Sequence, residues 1–323
     1  MKSKVGCDMS KDEISKQPCY LFFDIEGYPD IASIAKANNY HGIPNDEILK
    51  KYREDQEAKI ERLRQRNKWY TENEDWKETT YLPITFQRPL FIAVAKVAAD
   101  YTFLDTNILS ALTDNRFHDD PIQGSYLVCK KFLDGWRHYK RPTLVTLHGT
   151  IFDFPFLKFA AFNYGIDVND FPFDERINKS NSRLKSHIDM YSILSNYGAG
   201  RFRDGRRMLT GLLGKTDLFK GIYAKSDELY AERVVKLYKE HKYHVLEKYC
   251  LKRILDYYPV FLRLVKLTGG FGSIPSQNFD EENCKASMRH WIQKQIDKEP
   301  SQSQTLTDYL EQWNDYFNTA NQL

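Results

Sequence analysis

The sequence predicts an α/β domain built on a mixed β-sheet with helices on its faces. Apolar stretches of strand length occur at residues 19–25, 90–99 and 143–147, and segments with helical spacing lie between and after them. The first two stretches, with a short third strand at 101–104, predict a meander. A helix then precedes the strand at 143–147. This order of strand, meander, helix, strand and helix is typical of a mixed sheet that is covered by helices.

The composition is that of a globular protein without a membrane segment. The chain has 323 residues, of which 41% are hydrophobic and 14% aromatic, so a large core can form. The net charge is +3, and any basic surface must therefore be local. Five cysteines without a C-x-x-C pair indicate reduced thiols and an intracellular, cytoplasmic location without a zinc site. No apolar run approaches the roughly 20 residues that span a membrane.

The remaining elements predict one main domain with additions at both ends. Residues 1–18 form a loose leader, residues 19–270 the main domain, and residues 271–323 a helical C-terminal appendage for packing or for contact with a protein partner. A charged helical insertion at 45–78 has a basic side that is either a solvated face or a surface for phosphates. The other predicted elements are helices at 125–139, 152–164, 227–240, 244–267, 280–298 and 305–318, and a strand or helix start at 187–194.

Two carboxylates close the first strand. Asp24 and Glu26 are spaced i, i+2, so their side chains share one face of the strand. A buried pair of acids is usually neutralised by a divalent cation, although a strand end that turns into solvent gives the same pattern. Asp153 follows the strand at 143–147 and begins the next helix, where an acid could act as a helix cap. Because sites in such sheets form at strand ends, Asp153 is also expected near Asp24.

Two loops carry basic side chains that could contact phosphates or could simply solubilise the surface. These candidate nucleic-acid-binding residues are Lys179, Arg183, Arg201, Arg203, Arg206 and Arg207.

Several short motifs occur in a fixed order along the chain. They are Phe23-Asp24-Ile25-Glu26, the segment 144–149 leading to 152–157, and Tyr249-Cys250 followed by 261–264. Together they resemble the predicted 3′–5′ exonucleases related to the exonuclease domain of family B DNA polymerases. That group is the tyrosine-type DEDD branch of the ribonuclease H-like superfamily. The resemblance covers residues 19–270.

The resemblance implies hydrolysis of single-stranded DNA or RNA from its 3′ end by two Mg²⁺ or Mn²⁺ ions. It implies that Asp24 bridges both ions and that Glu26 binds the ion on the nucleophile side. Asp153 would hold the second ion, and Tyr249 would orient the attacking water. Tyr249 could equally belong to a core stripe of its helix that includes Tyr257. His148 is a candidate general base or a hydrogen-bonded structural residue.

The chain departs from the family pattern at the fourth acid. The family has Tyr-x-x-x-Asp on the last helix, whereas this chain has Tyr249-Cys250-Leu251-Lys252-Arg253. Arg253 is expected to weaken the metal site, because a guanidinium competes with a cation for carboxylates. Asp256 and Asp189 are candidate substitutes for the missing acid.

Three functions stay open from the sequence. The chain could be an exonuclease with an altered fourth position. It could also be an inactive exonuclease-fold module that binds nucleic acid or a partner, or a structural subunit.

Overall fold

The structure is a computed structural model that describes residues 17–66, 82–112, 121–172, 186–195, 230–271, 279–298 and 304–320. The basic loop residues predicted to contact nucleic acid, from Lys179 to Arg207, lie outside these ranges. Residues 1–16 of the predicted leader also lie outside these ranges.

A five-stranded mixed sheet forms the centre of the described part of the chain. Its strands are β1 (Tyr20–Pro29), β2 (Gln87–Val97), β3 (Phe103–Ser110), β4 (Thr143–Thr146) and β5 (His187–Asp189). Their order across the sheet is β3-β2-β1-β4-β5. The pairs β1–β2 and β2–β3 are antiparallel, and β1–β4 and β4–β5 are parallel. The predicted meander and mixed α/β sheet are therefore confirmed.

Helices cover both faces of the sheet. They are α1 (Ile31–Asn38), α2 (Ile48–Arg66), α3 (Pro121–His138), α4 (Asp153–Tyr164), α5 (Met190–Leu194), α6 (Tyr230–Lys239), α7 (Tyr243–Thr268), α8 (Glu281–Lys298) and α9 (Gln304–Ala320), with a 3₁₀ turn at Ile84–Phe86. None of the helices in the described ranges is long and apolar enough to cross a membrane.

Alternating side chains of β1 hold the two helical layers. The ring of Phe22 contacts Phe261 of α7, with 5.0 Å between ring centroids. The ring of Phe23 contacts Phe132 of α3 at 4.8 Å and Phe154 of α4 at 5.6 Å. Because successive residues of a strand point to opposite faces, even-numbered residues of β1 face α7 and odd-numbered residues face α3 and α4.

The central strand is longer than predicted. β1 continues to Pro29, and its register with β2 shifts between Glu26 and Gly27. The two acids therefore lie inside β1 rather than at its end. β4 is short and pairs only with residues 20–22 of β1. Past Phe22, no strand within the described ranges pairs with the side of β1 that faces β4, and Asp153 lies at this position.

Two other elements differ from their predicted extents. β3 is twice as long as predicted, because Asp105, Thr106 and Asn107 interrupt its apolar run on a half-exposed edge strand. The segment 187–194 is a short strand followed by a short helix. Within the predicted helical insertion at 45–78, the described helix is α2, and residues 67–78 lie outside the described ranges.

The two C-terminal helices pack onto the main sheet and onto α7. The ring of Trp291 in α8 contacts Phe103 of β3 with 5.5 Å between centroids, and its indole N–H donates to Asp105 at 3.1 Å. In α9, Tyr309 and Trp313 are buried. The division of the chain at residue 270 stays a prediction.

Candidate functional site

Two buried carboxylates on β1 define the site. Asp24 and Glu26 are only 4% and 3% exposed. They continue the even-numbered row of β1, whose earlier member Phe22 contacts α7. Both acids therefore point towards the helix that carries Arg253, and two buried negative charges there require compensation.

Arg253 supplies that compensation. One terminal nitrogen of its guanidinium, Nη2, pairs with Oδ2 of Asp24. The other, Nη1, lies 3.3 Å from Oε2 of Glu26. The planar guanidinium thus bridges the two acids, as its fork of donors allows.

Tyr257 occupies the second oxygen of Asp24. Its hydroxyl donates to Oδ1 of Asp24 at 2.6 Å. Arg253 and Tyr257 are four residues apart on α7, so both side chains lie on the same face of that helix. Both carboxylate oxygens of Asp24 consequently have protein donors.

The guanidinium of Arg253 stays charged although it is buried. Burial lowers the pKa of Arg253. The ordinary pKa of arginine is above 12, however, and two adjacent carboxylates favour its protonated form. The site therefore holds a permanent positive charge that belongs to the protein.

Asp153 binds the backbone of β1. Its Oδ1 accepts a hydrogen bond from the N–H of Ile25 at 3.0 Å, which is the donor that β4 is too short to reach. The interpretation of Asp153 as a helix cap is wrong, because α4 is capped at Phe152 without a side-chain hydrogen bond.

The environment of Asp153 also changes its protonation. Burial is the main cause that raises its pKa to about 8; the hydrogen bond from Ile25 opposes the shift, and the nearby Asp189 and Glu26 contribute to it. The Asp153 carboxyl is therefore protonated at neutral pH in this arrangement.

Asp189, a candidate substitute acid, is engaged by backbone donors. Its Oδ1 accepts from the N–H of His148 at 2.9 Å and of Tyr191 at 3.1 Å, and its Oδ2 accepts from the N–H of Thr150 at 3.0 Å. These bonds cap α5 and fix the turn after β4, where His148 has a left-handed backbone with φ of 68°. The His148 ring packs against Tyr191, with 4.1 Å between centroids.

Asp256, the other candidate substitute, is turned towards α9. It is fully buried and accepts a hydrogen bond from the Tyr309 hydroxyl at 2.9 Å. It precedes Tyr257 by one position and so lies about 100° around the helix from it. The structure thus brings Asp256 to the C-terminal helix and not to Asp24.

Tyr249 lies beside the guanidinium of Arg253. It is one turn before Arg253 on α7, it is buried, and the guanidinium carbon of Arg253 lies 5.3 Å from its ring centroid. This contact has the geometry of a cation–π interaction. The sequence indicated Tyr249 but attributed Tyr257 to the core. The i, i+4 spacing of Tyr257 from Arg253 was the signal that could have identified it.

Comparison with known families identifies the chain. Residues 79–313 match the family described as "Predicted 3'-5' exonuclease related to the exonuclease domain of PolB". The chain belongs to this family. The matched range includes Asp153, Tyr249 and Arg253 and begins after Asp24 and Glu26.

The comparison with solved structures found a DNA polymerase. The family B DNA polymerase from the hyperthermophilic archaeon Pyrobaculum calidifontis matches over 86% of this chain, with 15% sequence identity and a TM-score of 0.39. The match covers 29% of the polymerase chain, so this protein spans less than a third of that length. No curated protein matches the chain.

The described residues do not fit the two divalent ions that the exonuclease family implies. Arg253 and Tyr257 occupy the oxygens of Asp24, Arg253 also binds Glu26, and Oδ1 of Asp153 accepts from Ile25. Within the described ranges, no group of three or more His, Cys, Asp and Glu side chains could hold a metal ion. The arrangement is an arginine–carboxylate cluster, which we call the Arg253 bridge (Arg253, Tyr257, Asp24 and Glu26).

Proposed function

We propose that this exonuclease-family protein binds single-stranded nucleic acid ends and does not hydrolyse them with metal ions. The observation that supports the proposal is the Arg253 bridge, in which a guanidinium contacts both Asp24 and Glu26. Membership of a predicted exonuclease family supports nucleic acid as the ligand.

The chemistry of arginine favours binding over hydrolysis. A divalent ion lowers the pKa of a bound water and so favours formation of the hydroxide nucleophile. A guanidinium has no coordination position for water, and it cannot accept a proton at neutral pH. Burial raises the pKa of Asp153 to about 8, so most of this carboxyl is protonated at pH 7 and only the remainder could accept a proton from water. The described side chains thus lack an evident means of activating a nucleophile.

A second candidate function is Mn²⁺-supported 3′–5′ exonuclease activity. The observation that favours it is the proximity of Asp24, Glu26 and Asp153, with Tyr249 packed beside Arg253. The resemblance implies that these residues correspond to three of the four family acids and to the family tyrosine. This function requires Arg253 to leave both carboxylates.

A single assay separates the two functions. The full chain is incubated with a 5′-labelled single strand, first with EDTA to measure binding and then with Mn²⁺ to detect shortening from the 3′ end. We expect binding in EDTA and an intact strand in Mn²⁺. A 3′-shortened ladder that the Asp24→Asn variant abolishes would instead establish the exonuclease. A ladder that persists in Asp24→Asn would come from a contaminant.

A further inference from the structure

A basic hairpin joins α6 to α7 near the Arg253 bridge. Residues 236–248 contain four lysines and two glutamates, a net charge of +2 in a chain whose total is +3. Lys236, Lys239 and Lys242 are all exposed. This short segment is therefore locally basic, and we call it the α6–α7 hairpin (residues 236–248).

The two glutamates weaken this charge only in part. Glu240 is paired with Lys242 at 2.7 Å. That hydrogen bond lowers the pKa of Glu240, and Lys236 adds to the shift. Burial raises the pKa of Glu247, which is half-buried. The solvent-facing side of the hairpin is consequently positive around Lys236 and Lys239.

Aromatic rings connect the hairpin to the strand that carries the acids. Tyr28 lies two residues after Glu26 on β1, and its ring contacts Tyr238 with 4.8 Å between centroids. Tyr238 contacts Tyr243 at 5.3 Å, and Tyr243 contacts the exposed ring of His241 at 5.7 Å. The hairpin therefore contacts β1 through Tyr28, two residues after Glu26.

We infer that the α6–α7 hairpin contacts the phosphate backbone of the single strand whose end lies at the Arg253 bridge. This inference rests on the proposed function. Lysines bind phosphates without regard to base sequence, and aromatic rings beside them offer stacking surfaces for bases. The exposed ring of His241 and the partly exposed ring of Tyr243 favour nucleic acid over an acidic protein, which would need only the charges.

The test measures how salt changes affinity. Binding of a fluorescent oligothymidylate to the full chain is followed by anisotropy in EDTA at several salt concentrations. The variant is Lys236→Gln/Lys239→Gln. The matched control is Lys131→Gln/Lys158→Gln, two exposed lysines of α3 and α4 on the opposite face of the sheet.

We expect the hairpin variant to bind at least several-fold more weakly at low salt. The slope of log K against log salt should fall by about 1.4, because each phosphate contact to a single strand contributes about 0.7. The control should keep the wild-type slope. Removing two exposed lysines should leave the thermal unfolding of both variants unchanged.

Other outcomes would overturn the inference. Equal slopes in the hairpin variant, the control and the wild type would place the strand elsewhere and leave the proposed function intact. If the wild type bound no oligonucleotide at low salt, the proposed function would fail with the inference. Displacement of the oligonucleotide by an equal charge of polyglutamate at similar affinity would assign the hairpin to acidic proteins.

Discussion

Arg253 and Asp24 form a buried ion pair between residues that are 229 positions apart in the sequence. One residue lies on the central strand β1 and the other in the middle of α7. The same arginine reaches Glu26, and Tyr257 of α7 donates to the other oxygen of Asp24. This pair therefore joins the first strand to α7, the longest of the described helices.

Removing the arginine should be costly. In Arg253→Met, Asp24 and Glu26 would keep their burial and lose their counter-charge. Breaking a buried pair from one side typically destabilises by about 3–5 kcal/mol. We expect that loss in the free energy of unfolding, measured by urea denaturation.

The control for this variant is Lys266→Met on the same helix. Lys266 pairs with Glu281 at 3.3 Å, but its side chain is 72% exposed. Exposed pairs contribute about 0–1 kcal/mol, so the control should stay near the wild type. A loss in Arg253→Met no larger than in the control would mean that Arg253 does not pair with buried acids.

A second buried hydrogen bond attaches the C-terminal helix. In Tyr309→Phe, the fully buried Asp256 would lose the hydroxyl that donates to it at 2.9 Å. We expect a loss of about 1–3 kcal/mol in unfolding free energy, the cost of an unmade bond to a buried polar group.

Tyr40→Phe provides the exposed counterpart of this change. The Tyr40 hydroxyl also donates to a carboxylate, that of Asp55 at 2.7 Å, but Asp55 remains in contact with solvent. Removing the Tyr40 hydroxyl should lower the free energy of unfolding by less than removing the Tyr309 hydroxyl does. Equal effects would show that burial at α9 does not strengthen the Tyr309–Asp256 bond.

Patterns within one element were enough to predict much of the fold and part of the site. The alternation of Phe22 and Phe23 predicts that β1 is covered on both faces, and the same alternation puts Asp24 and Glu26 on one face. The spacing of Arg253 from Tyr249 reveals the departure from the family pattern, and the charge of Arg253 predicts that it competes with a cation for carboxylates.

Contacts between distant elements could not be predicted in the same way. Asp153 binds Ile25 because β4 ends early, and strand length is poorly specified by a short apolar run. Asp256 faces α9 because the C-terminal helix packs there, which no pattern within α7 indicates.

The protonation of Asp153 should make stability depend on pH. Its pKa is raised from 3.8 to about 8, chiefly by burial. Between these values the folded protein keeps a proton that the unfolded chain releases, so its contribution to stability is present below pH 4 and is lost as pH rises towards 8. Asp153→Asn does not titrate and can still accept from Ile25. The free energy of unfolding of Asp153→Asn, relative to that of the wild type, should therefore rise by a few kcal/mol between pH 4 and pH 8. A constant difference across this range would show that Asp153 is ionised when folded.

His187 should have the opposite effect in a more acidic window. Burial lowers its pKa from 6.5 to about 4, with Asp189 opposing the shift, and its Nε2 lies 2.8 Å from the Thr146 hydroxyl. Between pH 6.5 and pH 4 the unfolded chain binds a proton at His187 and the folded protein does not. The contribution of His187 to the free energy of unfolding is therefore complete above pH 6.5 and is lost as the pH falls to 4. The loss is on the order of 3 kcal/mol. His187→Gln should remove this part of the acid sensitivity, measured as the slope of unfolding free energy against pH. An unchanged slope would exclude His187 as its source.

Replacing Arg253 with aspartate should create a cation site. In Arg253→Asp, the guanidinium that binds Asp24 and Glu26 is gone and a third carboxylate takes its position on the helix. Without metal the variant should unfold at a lower temperature than the wild type, because its buried acids repel one another. Mn²⁺ should reverse that loss, since a ligand that binds only the folded state adds about 2.7 kcal/mol at a hundred times its dissociation constant. The wild type should respond little to Mn²⁺, because the guanidinium of Arg253 already neutralises the acids.

Calorimetric titration and thermal unfolding in Mn²⁺ or EDTA measure both effects. The control, Lys266→Asp, makes the same change of charge on an exposed part of α7. If Arg253→Asp bound Mn²⁺ no better than Lys266→Asp and the wild type, residue 253 would not face the acids of β1, and the Arg253 bridge would be wrong.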